Sequence, residues 1–440
     1  MIKCKKTQYK NKNIIILGLG ITGLSCVKYF LKKGITPIVV DNNYIPKYLN
    51  ELPKNVKLHI GKLNKTLLKN TKLIIISPGI KITELESQEI LKNNIEIISD
   101  IELFCRETNK PIIAITGTNG KSTVTSLVGE IIKSAKISVG IGGNIGIPAL
   151  SLLNLGYDIY VLELSSFQLE RTYSLKAFSA TILNVCEDHM DRYSLNFKKY
   201  YKTKLKIYNN AKNCIINIQD FLTFPKKRLI KECISFGLDN GNYLFDTKQC
   251  VLKVNNKTVL DVNEMNIIGQ HNYLNALSAL ALADTINIPR NISLQTLKKY
   301  SGLKHRFQLV LFNKGVYWIN DSKSTNVAST EAALKSLKTS GNVYLLLGGD
   351  GKSADFSPLK KYINDNFQIY CFGYDRKKLS KISPNKSIIT KTMNESLYLL
   401  SLKLKKGDTV LLSPACSSLD QFKNFEHRGD VFTKLAKRLG

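Results

Sequence analysis

The stretch from Ile112 to Thr123, I-I-A-I-T-G-T-N-G-K-S-T, decides the fold of this chain. It begins with a short apolar run that predicts a buried strand, and the pair Thr116-Gly117 ends that run. From Gly120-Lys121-Ser122 onward, apolar residues recur at three- and four-residue spacing, which predicts a helix. A strand, a glycine-bearing loop and a helix N-terminus form a phosphate-binding site, because their unpaired backbone N–H groups point at the anion.

The side chains of this loop suit a nucleoside triphosphate. Its glycines let the backbone approach the phosphates, Lys121 would reach the terminal phosphates, and Ser122 or Thr123 would offer a hydroxyl to Mg²⁺. The loop has the short form G-x-x-G-K-S, since Ile115 stands where the usual Walker A pattern has a glycine. The alternative is a strand–turn–helix connection with an incidental lysine. We predict a phosphate site because the strand, loop and helix signals agree.

Length and charge limit the classes of protein to consider. A chain of 440 residues predicts about two to four domains. The net charge of +30, from 64 Lys+Arg against 34 Asp+Glu, is spread along the whole chain and forms no basic arm. In the absence of a zinc-finger or RNA-recognition signature, we expect no nucleic-acid partner and attribute the charge to composition bias and anionic small-molecule substrates.

The cysteines and the N-terminal region bear on localisation. Nine cysteines without C-x-x-C spacing predict reduced thiols in the cytoplasm. Basic residues at 3–12 followed by the apolar stretch 14–26 imitate a signal peptide, but that stretch contains a glycine motif of a folded domain. No run reaches the ~18–20 apolar residues of a membrane span. We therefore expect a cytoplasmic protein without stable membrane insertion.

Residues 1–99 predict a Rossmann-like first domain. A buried strand runs into G-L-G-I-T-G at 18–23, a helix follows, and the next strand ends in Asp41. This G-x-G-x-x-G fingerprint with an acid at the second strand's tip indicates a pyrophosphate or nucleotide-sugar ligand, without saying which. A later strand ends in Ser77-Pro78-Gly79, another loop at the strand ends where α/β proteins bind ligands.

Residues 100–302 predict a central ATP-binding domain. One strand ends in Glu163, and a strand predicted over 180–185 leads to E-D-H-M-D at 187–191. Carboxylates and His189 beyond strand ends, in the same domain as a phosphate loop, suit Mg²⁺ coordination. A capping or packing role would be the alternative for this histidine taken alone.

The rest of the central domain predicts a helix, a β-rich lobe and a second helix. The first helix spans Phe197 to Tyr208, and the lobe spans 209–262. Asn272 and Asn275 lie three residues apart and so share a face of the following helix, where they could hydrogen-bond a base or ribose. The alternative is that both lie on a solvated face.

Residues 303–440 predict a third, Rossmann-like domain. Three strands are predicted, at 316–319, 343–347 and 409–412, and each is followed by a polar loop. Lys323 and Lys352 lie at two of these strand exits and are candidate anion contacts. The predicted fold class is α/β with three domains: a Rossmann-like N-terminal domain, a central P-loop ATPase-like domain and a Rossmann-like C-terminal domain.

Eight stretches together resemble the Mur ligases, the ATP-dependent amide-forming enzymes of peptidoglycan precursor synthesis. They run through nearly the whole chain: G-T-N-G-K-S-T at 117–123, L-E-L-S-S-F-Q-L-E at 162–170, E-D-H-M-D-R-Y at 187–193, G-Q-H-N-Y-L-N-A-L at 269–277, H-R-F at 305–307, N-D-S-K-S-T-N at 320–326, G-G-D-G-K-S-A-D-F at 348–356 and S-P-A-C-S-S-L-D-Q-F-K-N-F at 413–425. The first and the last two are most similar to the D-glutamate-adding branch of the family.

The resemblance implies a reaction and its cofactors. ATP would phosphorylate the free carboxylate of UDP-MurNAc-L-alanine, and the amine of D-glutamate would attack the resulting acyl phosphate, releasing phosphate. Two Mg²⁺ ions are implied, together with carbamylation of Lys204 by CO₂, which turns a cation into a carboxylate-like metal ligand. Lys202 and Lys206 lie close by, so the register of this helix matters.

The resemblance also implies residue roles. The catalytic residues would be Lys121, His189, Lys204 and Lys323. The ATP-binding residues would be Gly117, Thr118, Asn119, Gly120, Lys121, Ser122, Thr123, Asn272, Asn275, Arg306 and Asp321. The UDP-sugar would contact Gly20, Ile21, Thr22, Asp41, Ser77, Pro78, Gly79, Asn144 and His189. D-glutamate would contact Lys323, Thr325, Lys352, Ser418, Leu419 and Phe425. The metal ligands would be Ser122, Glu163, His189 and Lys204.

The chain departs from the family pattern at one place. The resemblance implies an Asp-Thr-Arg-like triplet at the second strand's tip, whereas this chain has Asp41-Asn42-Asn43. The missing arginine concerns the uridine side of the substrate and leaves the catalytic stretches intact. We expect a monomer, since each domain has its partners within the chain.

Three alternatives remain. A folylpolyglutamate synthase-like ligase would lack an equivalent of the N-terminal UDP-binding domain. An NAD-dependent dehydrogenase would use the first glycine motif but leave Lys121, Glu163 and His189 unexplained. A basic nucleic-acid-binding ATPase would use the net charge but lacks a base-stacking or groove-reading motif.

Overall fold

A computed structural model describes residues 9, 13–190, 192–226, 230–267, 269–337 and 339–440. Asp191 and the basic stretch at 3–12, apart from Tyr9, lie outside these residues. The described chain forms three sheets, one after another in sequence, each flanked by helices. This confirms the predicted three-part α/β fold. No described helix is both long and apolar enough to cross a membrane.

The first sheet is wholly parallel. Its strands are β1 (Asn13–Leu17), β2 (Ile38–Asp41), β3 (Lys57–Ile60), β4 (Thr71–Ile76) and β5 (Glu96–Ser99). Its helices are α1 (Ile21–Lys32), α2 (Lys65–Leu68), α3 (Glu84–Lys92) and α4 (Asp100–Glu107). The order β3-β2-β1-β4-β5 places the loops after β1, β2 and β4 side by side, at the edge where doubly wound sheets bind nucleotides.

The second sheet has nine strands and carries the phosphate loop. The strands are β6 (Ile112–Thr116), β7 (Val139–Gly143), β8 (Ile159–Glu163), β9 (Ser179–Ile182), β10 (Asn213–Asn217), β11 (Ile234–Leu238), β12 (Tyr243–Asp246), β13 (Val251–Val254) and β14 (Lys257–Asp261). The helices are α5 (Lys121–Ser134), α6 (Ser166–Glu170), α7 (Phe197–Leu205), α8 (Gln270–Thr285) and α9 (Arg290–Lys299). β6 is buried along its length between β8 and β9, so the loop after it stands at the sheet's centre.

The third sheet is parallel except for its first strand. Its strands are β15 (Gln308–Asn313), β16 (Val316–Asn320), β17 (Val343–Gly348), β18 (Phe367–Phe372), β19 (Ser387–Ile389) and β20 (Thr409–Leu412). Its helices are α10 (Val327–Ser336), α11 (Arg376–Ser380), α12 (Met393–Ser401) and α13 (Phe425–Leu439). The adjacent strands β16, β20 and β17 carry the three polar loops that the sequence singles out.

Three local predictions need correction. β9 ends at Ile182 rather than Val185, because Asn184 and Cys186 turn away to hydrogen-bond the phosphate loop. The region 209–262 is β-rich but not a separate lobe: β10 pairs with β9, and β11 to β14 extend the same sheet. The helix predicted over 197–208 ends at Leu205 and closes with a short 3₁₀ turn.

The buried apolar clusters differ in how far they reach. One cluster runs continuously from the first sheet into the second and includes Ile16, Phe30, Tyr160 and Tyr200. The other face of the second sheet and the two faces of the third have clusters of their own. Among the described residues, no cluster joins the second sheet to the third.

Candidate functional site

The loop after β6, predicted to bind phosphate, has two glycines with positive φ. Gly117 and Gly120 have φ values of +151° and +82°, which L side chains rarely adopt. The N–H of Thr118 donates to the carbonyl of Asn184 (2.9 Å), which fixes the loop against the segment after β9. A Cβ on Gly120 would stand 2.5 Å from Oδ1 of Asn275, so α8 brings this asparagine onto the loop.

Other predicted nucleotide contacts lie in the loop itself and in the first turns of α5 and α8. Ser122 and Thr123 are buried in the first turn of α5. The N–H of Asn119 donates to Oδ1 of Asn184 (2.8 Å). Asn272 lies half-buried in the first turn of α8, one turn before Asn275.

Two lysines converge on one carbonyl of the loop. Nζ of Lys121 donates to the carbonyls of Gly117 (2.9 Å) and Thr118 (2.7 Å), and Nζ of Lys204 donates to Gly117 as well (2.9 Å). Burial lowers the pKa of both ammonium groups, and the charge of Lys121 lowers the pKa of Lys204 further. Burial and the neighbouring charge of Lys121 thus both favour the neutral amine of Lys204 over its ammonium form.

Burial distinguishes Lys204 from its two neighbours in sequence. Lys204 is only 2% exposed, and its Nζ lies 4.7 Å from the ring centre of Tyr200. Lys202 is exposed, and Lys206 donates to the carbonyl of Glu170 away from the loop. Packing therefore places Lys204, rather than Lys202 or Lys206, against the loop after β6.

Glu163, at the end of β8, offers an unpaired oxygen to this centre. Its Oε1 accepts a hydrogen bond from Nδ2 of Asn144 (2.8 Å). Its Oε2 is buried with no hydrogen-bond partner among the described residues. A buried carboxylate oxygen is costly to leave unpaired, so this atom suits a cation beside the phosphate loop.

Arg306, in the segment before β15, contacts the first turn of α5. Its guanidinium donates to Oγ of Ser122 (2.6 Å), although Arg306 precedes β15 of the third sheet and Ser122 lies in α5 beside the second sheet. Burial lowers the pKa of Arg306, and the carboxylates of Glu163 and Asp321 oppose that shift. The arginine therefore lies within the electrostatic field of the predicted metal ligand.

His189 lies near the same centre in a left-handed backbone conformation (φ +55°). Its Nε2 is 3.6 Å from Oδ2 of Asp188, and its ring packs edge-on against Phe167 with 5.0 Å between centroids. Burial lowers its pKa, which Asp188 partly offsets and the nearby lysines reinforce. A neutral imidazole at neutral pH keeps a lone pair free for a metal.

Asn326, which precedes α10, is a site residue that sequence reasoning quoted but did not single out. Its Nδ2 donates to Oδ1 of Asn119 and to Oδ2 of Asp188, both at 3.4 Å. Its Oδ1 accepts from the N–H of Ser329 and so caps α10. The signal for it was its place at the end of the N-D-S-K-S-T-N stretch.

Asp321 organises the loop after β16 through both of its carboxylate oxygens. Oδ1 accepts from the N–H of Phe307 (3.0 Å), and Oδ2 accepts from the hydroxyls of Ser324 and Ser413. Burial raises its pKa to about 6. In this structure, both carboxylate oxygens of Asp321 are therefore hydrogen-bonded to protein groups.

The residues predicted to receive D-glutamate lie on the loops after β16, β17 and β20, except Phe425, which is the first residue of α13. Nζ of Lys323 stands 4.0 Å from the ring centre of Phe425, and burial lowers the pKa of this lysine to about 8. Ser418 is buried, whereas Leu419 is 72% exposed. Lys352 is exposed with φ +53°, and Thr325 is half-buried.

Arg428 ties these three loops together and was missed by sequence reasoning. This fully buried side chain donates to Oγ and to the carbonyl of Ser322, and to the carbonyls of Gly348 and Cys416. Burial lowers its pKa to about 10. Nothing local in the sequence marks this role, because its partners lie 12 to 106 residues away.

A cavity of about 510 Å³ lies where the first and second sheets meet. Its lining consists of Gly18, Leu19, Gly20, Ile21, Thr22, Asp41, Asn43, Lys47, Ser77, Pro78, Gly79, Ile80, Gly143, Asn144, Ile145, Gly146, Pro148 and Gln168. Every residue predicted for the UDP-sugar is present except His189. Asn144 both lines the cavity and donates to Glu163, so one residue joins the cavity to the carboxylate at the end of β8.

Asp41 shapes this cavity. Its Oδ2 accepts from the N–H of Leu19 (2.7 Å), and its Oδ1 accepts from the N–H of Asn43 (2.8 Å). Both oxygens are therefore engaged by backbone groups, and the carboxylate holds the loops after β1 and β2 in place.

Comparison with protein families gives three matches along the chain. Residues 12–99 match the Mur ligase MurD-like N-terminal domain, 115–283 match the Mur ligase middle domain, and 305–416 match the Mur ligase glutamate ligase domain.

Curated relatives match over nearly the full length. The UDP-N-acetylmuramoylalanine–D-glutamate ligases of Salmonella choleraesuis (strain SC-B67) and Escherichia coli (strain K12) are each 54% identical over 435 residues, covering 98% of this chain and 99% of theirs. The enzyme of the same name from Photorhabdus laumondii is 54% identical over 433 residues, with the same coverage.

Solved structures share the fold at low identity. UDP-N-acetylmuramate-alanine ligase MurC from Thermotoga maritima has a TM-score of 0.63 at 18% identity, covering 97% of this chain and 100% of its own. MurF ligase from the same organism, in complex with ADP, has a TM-score of 0.62 at 16% identity, covering 98% of this chain and 97% of its own.

Proposed function

The chain belongs to the Mur ligase family, and we propose that it is the ATP-dependent, ADP-forming ligase that joins D-glutamate to UDP-N-acetylmuramoyl-L-alanine in peptidoglycan precursor synthesis. The structural observation that carries the proposal is the double role of Asn144. This residue lines the large cavity and also hydrogen-bonds Glu163 beside the phosphate loop. A carboxylate at the end of a ligand in that cavity would therefore meet the terminal phosphate of ATP.

The reaction joins two steps at this point. The alanyl carboxylate attacks the terminal phosphate of ATP to give an acyl phosphate and ADP, and the amine of D-glutamate then displaces phosphate to form the amide. Lys121 would leave the carbonyls of its own loop to pair with the phosphates, since a charged partner is stronger than a neutral carbonyl. Asn272, Asn275, Arg306 and Asp321 would border the nucleotide.

The donor atoms fit Mg²⁺. Oε2 of Glu163 is buried and has no hydrogen-bond partner among the described residues. Ser122 carries its hydroxyl in the first turn of α5, directly after the phosphate loop. These two residues would hold a first ion, and His189 with Lys204 would hold a second. When bound, the ions would supply positive charge to the phosphoryl and carboxylate oxygens.

Lys204 is proposed to react with CO₂ to form a carbamate. The nucleophile in that reaction is the neutral amine, and burial favours this form by lowering the pKa. The carbamate would replace a hydrogen bond to the carbonyl of Gly117 with a negatively charged metal ligand.

D-glutamate would bind on the third sheet's loops. Lys323 and Lys352 would pair with its carboxylates, with Thr325, Ser418, Leu419 and Phe425 around them. Arg306 and Asn326 already bond the phosphate loop and its neighbour Asp188, so the third sheet's loops can cover the reacting atoms. Covering them would exclude water from the acyl phosphate.

The setting of the enzyme is also part of the proposal. We infer a cytoplasmic monomer whose partners are its three small-molecule substrates, with no nucleic-acid partner.

Phosphate release tests the proposed function. The full-length protein, supplied with bicarbonate, is assayed with Mg-ATP, UDP-MurNAc-L-alanine and D-glutamate, with L-glutamate as the control. We expect release only when both substrates are present and only with the D isomer. Release with another amino acid would assign the chain to a sister ligase, and no release from folded protein would overturn the proposal.

A further inference from the structure

We propose that Lys47 binds the diphosphate of the UDP group and so sets the affinity of the cavity for its nucleotide-sugar. The inference rests on the proposed function, because it assigns one more contact to the same cavity. It concerns a residue outside the eight stretches that carry the family resemblance.

The charges that line the cavity single out this lysine. Among the described lining residues, only Asp41 and Lys47 carry a charge. The carboxylate of Asp41 is buried, accepts two backbone N–H groups and, as an anion, repels a phosphate. A diphosphate entering the cavity therefore meets one fixed negative group and needs a cation to offset the loss of water.

The backbone holds Lys47 at the cavity while its side chain stays available. Pro46 before it is buried, and Tyr48 after it packs against the apolar cluster shared by the first two sheets. The N–H of Leu49 donates to the carbonyl of Pro46 (3.1 Å), which closes a turn around the lysine. The position of Lys47 is thus set by core packing, although the lysine itself is exposed.

The ammonium group has no stronger partner among the described residues. Its Nζ lies 5.6 Å from the ring centre of Tyr48, and no described carboxylate pairs with it. An exposed cation–π contact is worth only about 0.5–1 kcal/mol, so a phosphate would compete with it easily. The neutral Asn43, which also lines the cavity, offers no competing charge.

Calorimetric titration of three probes tests the assignment. UDP, UMP and uridine are titrated into the full-length wild type and into Lys47→Met, Lys47→Arg and Lys54→Met, at low and high salt. Lys54 is an exposed lysine of the same domain outside the cavity, so its replacement is the matched control. The probes separate a phosphate contact from a contact with the base or ribose.

We expect Lys47→Met to weaken UDP binding about tenfold, to weaken UMP binding less and to leave uridine binding unchanged. Lys47→Arg should stay within about threefold of the wild type, and its UDP binding should keep the salt dependence that Lys47→Met loses. In turnover, Lys47→Met should raise KM for the UDP-sugar about tenfold with kcat within about twofold. Lys54→Met should match the wild type throughout.

Unchanged UDP affinity in Lys47→Met, or an equal loss for uridine and UDP, would overturn the assignment. A fall in kcat without a change in KM would also overturn it, since that would indicate a structural role. If the wild type binds UDP through Lys47 but releases no phosphate, the proposed ligase activity fails and the diphosphate contact stands. If the wild type is an active ligase and Lys47→Met binds UDP normally, only the present inference fails.

Discussion

The junction between the first and second sheets and the junction between the second and third sheets meet at the phosphate loop, but they are built from different contacts. The first contains a continuous apolar cluster and several buried hydrogen bonds. Nε2 of Gln168 donates to both oxygens of Asp100 (3.2 Å each), and the hydroxyls of Ser99 and Thr172 are 2.8 Å apart. Separating these surfaces would expose apolar area and break buried polar pairs.

The second junction depends on polar side chains. Arg306 bonds Ser122, and Asn326 bonds Asn119 at 3.4 Å. Nδ1 of His271 pairs with Oγ of Ser336 at 2.8 Å. No apolar cluster of the described residues crosses this junction.

This difference indicates that the first junction is a permanent part of the fold, whereas the second can open and close during turnover. Polar contacts exchange for water at a small net cost, typically about 0.5–1.5 kcal/mol each, whereas a shared core does not. The first junction should therefore stay closed, while the second can open to admit ATP and D-glutamate and to release products. Changes at the first should alter stability, and changes at the second should alter rate.

Glu163 lies where the two junctions meet, and replacing it should have the largest effect. In Glu163→Gln the amide can keep the bond to Asn144 but cannot supply the charged Oε2. We expect phosphate release to fall on the order of 10³-fold, with the free energy of unfolding within about 1 kcal/mol of wild type. Steady-state phosphate release and urea unfolding measure the two quantities.

Glu130→Gln, a partly exposed glutamate on α5, is the control and should keep full activity. If Glu163→Gln retained more than about a tenth of the wild-type rate, a metal role for this carboxylate would be wrong.

Replacing Asp100 tests the junction between the first and second sheets, because this buried carboxyl should make the stability of the protein depend on pH. Burial raises its pKa from 3.8 to about 6. A carboxyl with a raised pKa in the folded state binds its proton more tightly there, so it stabilises the fold below pH 3.8. That stabilisation is lost as the pH rises through 6. Asp100→Asn does not titrate, so its stability relative to wild type should improve by about 2–3 kcal/mol between pH 4 and pH 7.5.

The measurement is the free energy of unfolding of both proteins at each pH, with Asp158→Asn as an exposed control expected to change by less than about 0.5 kcal/mol. The activity of Asp100→Asn at pH 7.5 should match wild type. A large loss of rate with no pH-dependent stability would contradict the division between the two junctions.

Asn326 tests the movable junction and should have the smallest effect of the three. Asn326→Ser can still cap α10 through its hydroxyl but cannot reach Asn119 or Asp188. We expect kcat to fall about tenfold, with unfolding free energy within about 1 kcal/mol of wild type. Single-turnover rates with saturating substrates would show the effect directly.

Asn64→Ser makes the same substitution at the N-cap of α2, in the first sheet's domain, and should leave kcat unchanged. Should Asn326→Ser instead lower stability and spare kcat, the second junction would be structural like the first.

The parts of the site that the sequence predicted share one property: they depend on neighbours in the chain. The phosphate loop could be located because its strand, glycines and helix are contiguous. The strand from Ala180 was predicted too long because the segment after Ile182 is apolar enough for a strand, yet its backbone bonds the phosphate loop instead. Likewise the residues at 209–262 were correctly predicted to be β-rich, but pairing of β10 with β9 placed them in the central sheet.

By itself, the sequence determined the α/β class, the three-part order, the strand, glycine loop and helix around Gly117, and the family, because periodicity, glycine placement and contiguous motifs are local properties. Only the tertiary structure decided that Lys204 rather than Lys202 or Lys206 faces Gly117, that Arg428 joins three loops, and that Lys47 lines the cavity. These facts depend on burial and on contacts between residues far apart in the chain. The sequence around a lysine or arginine does not show such contacts.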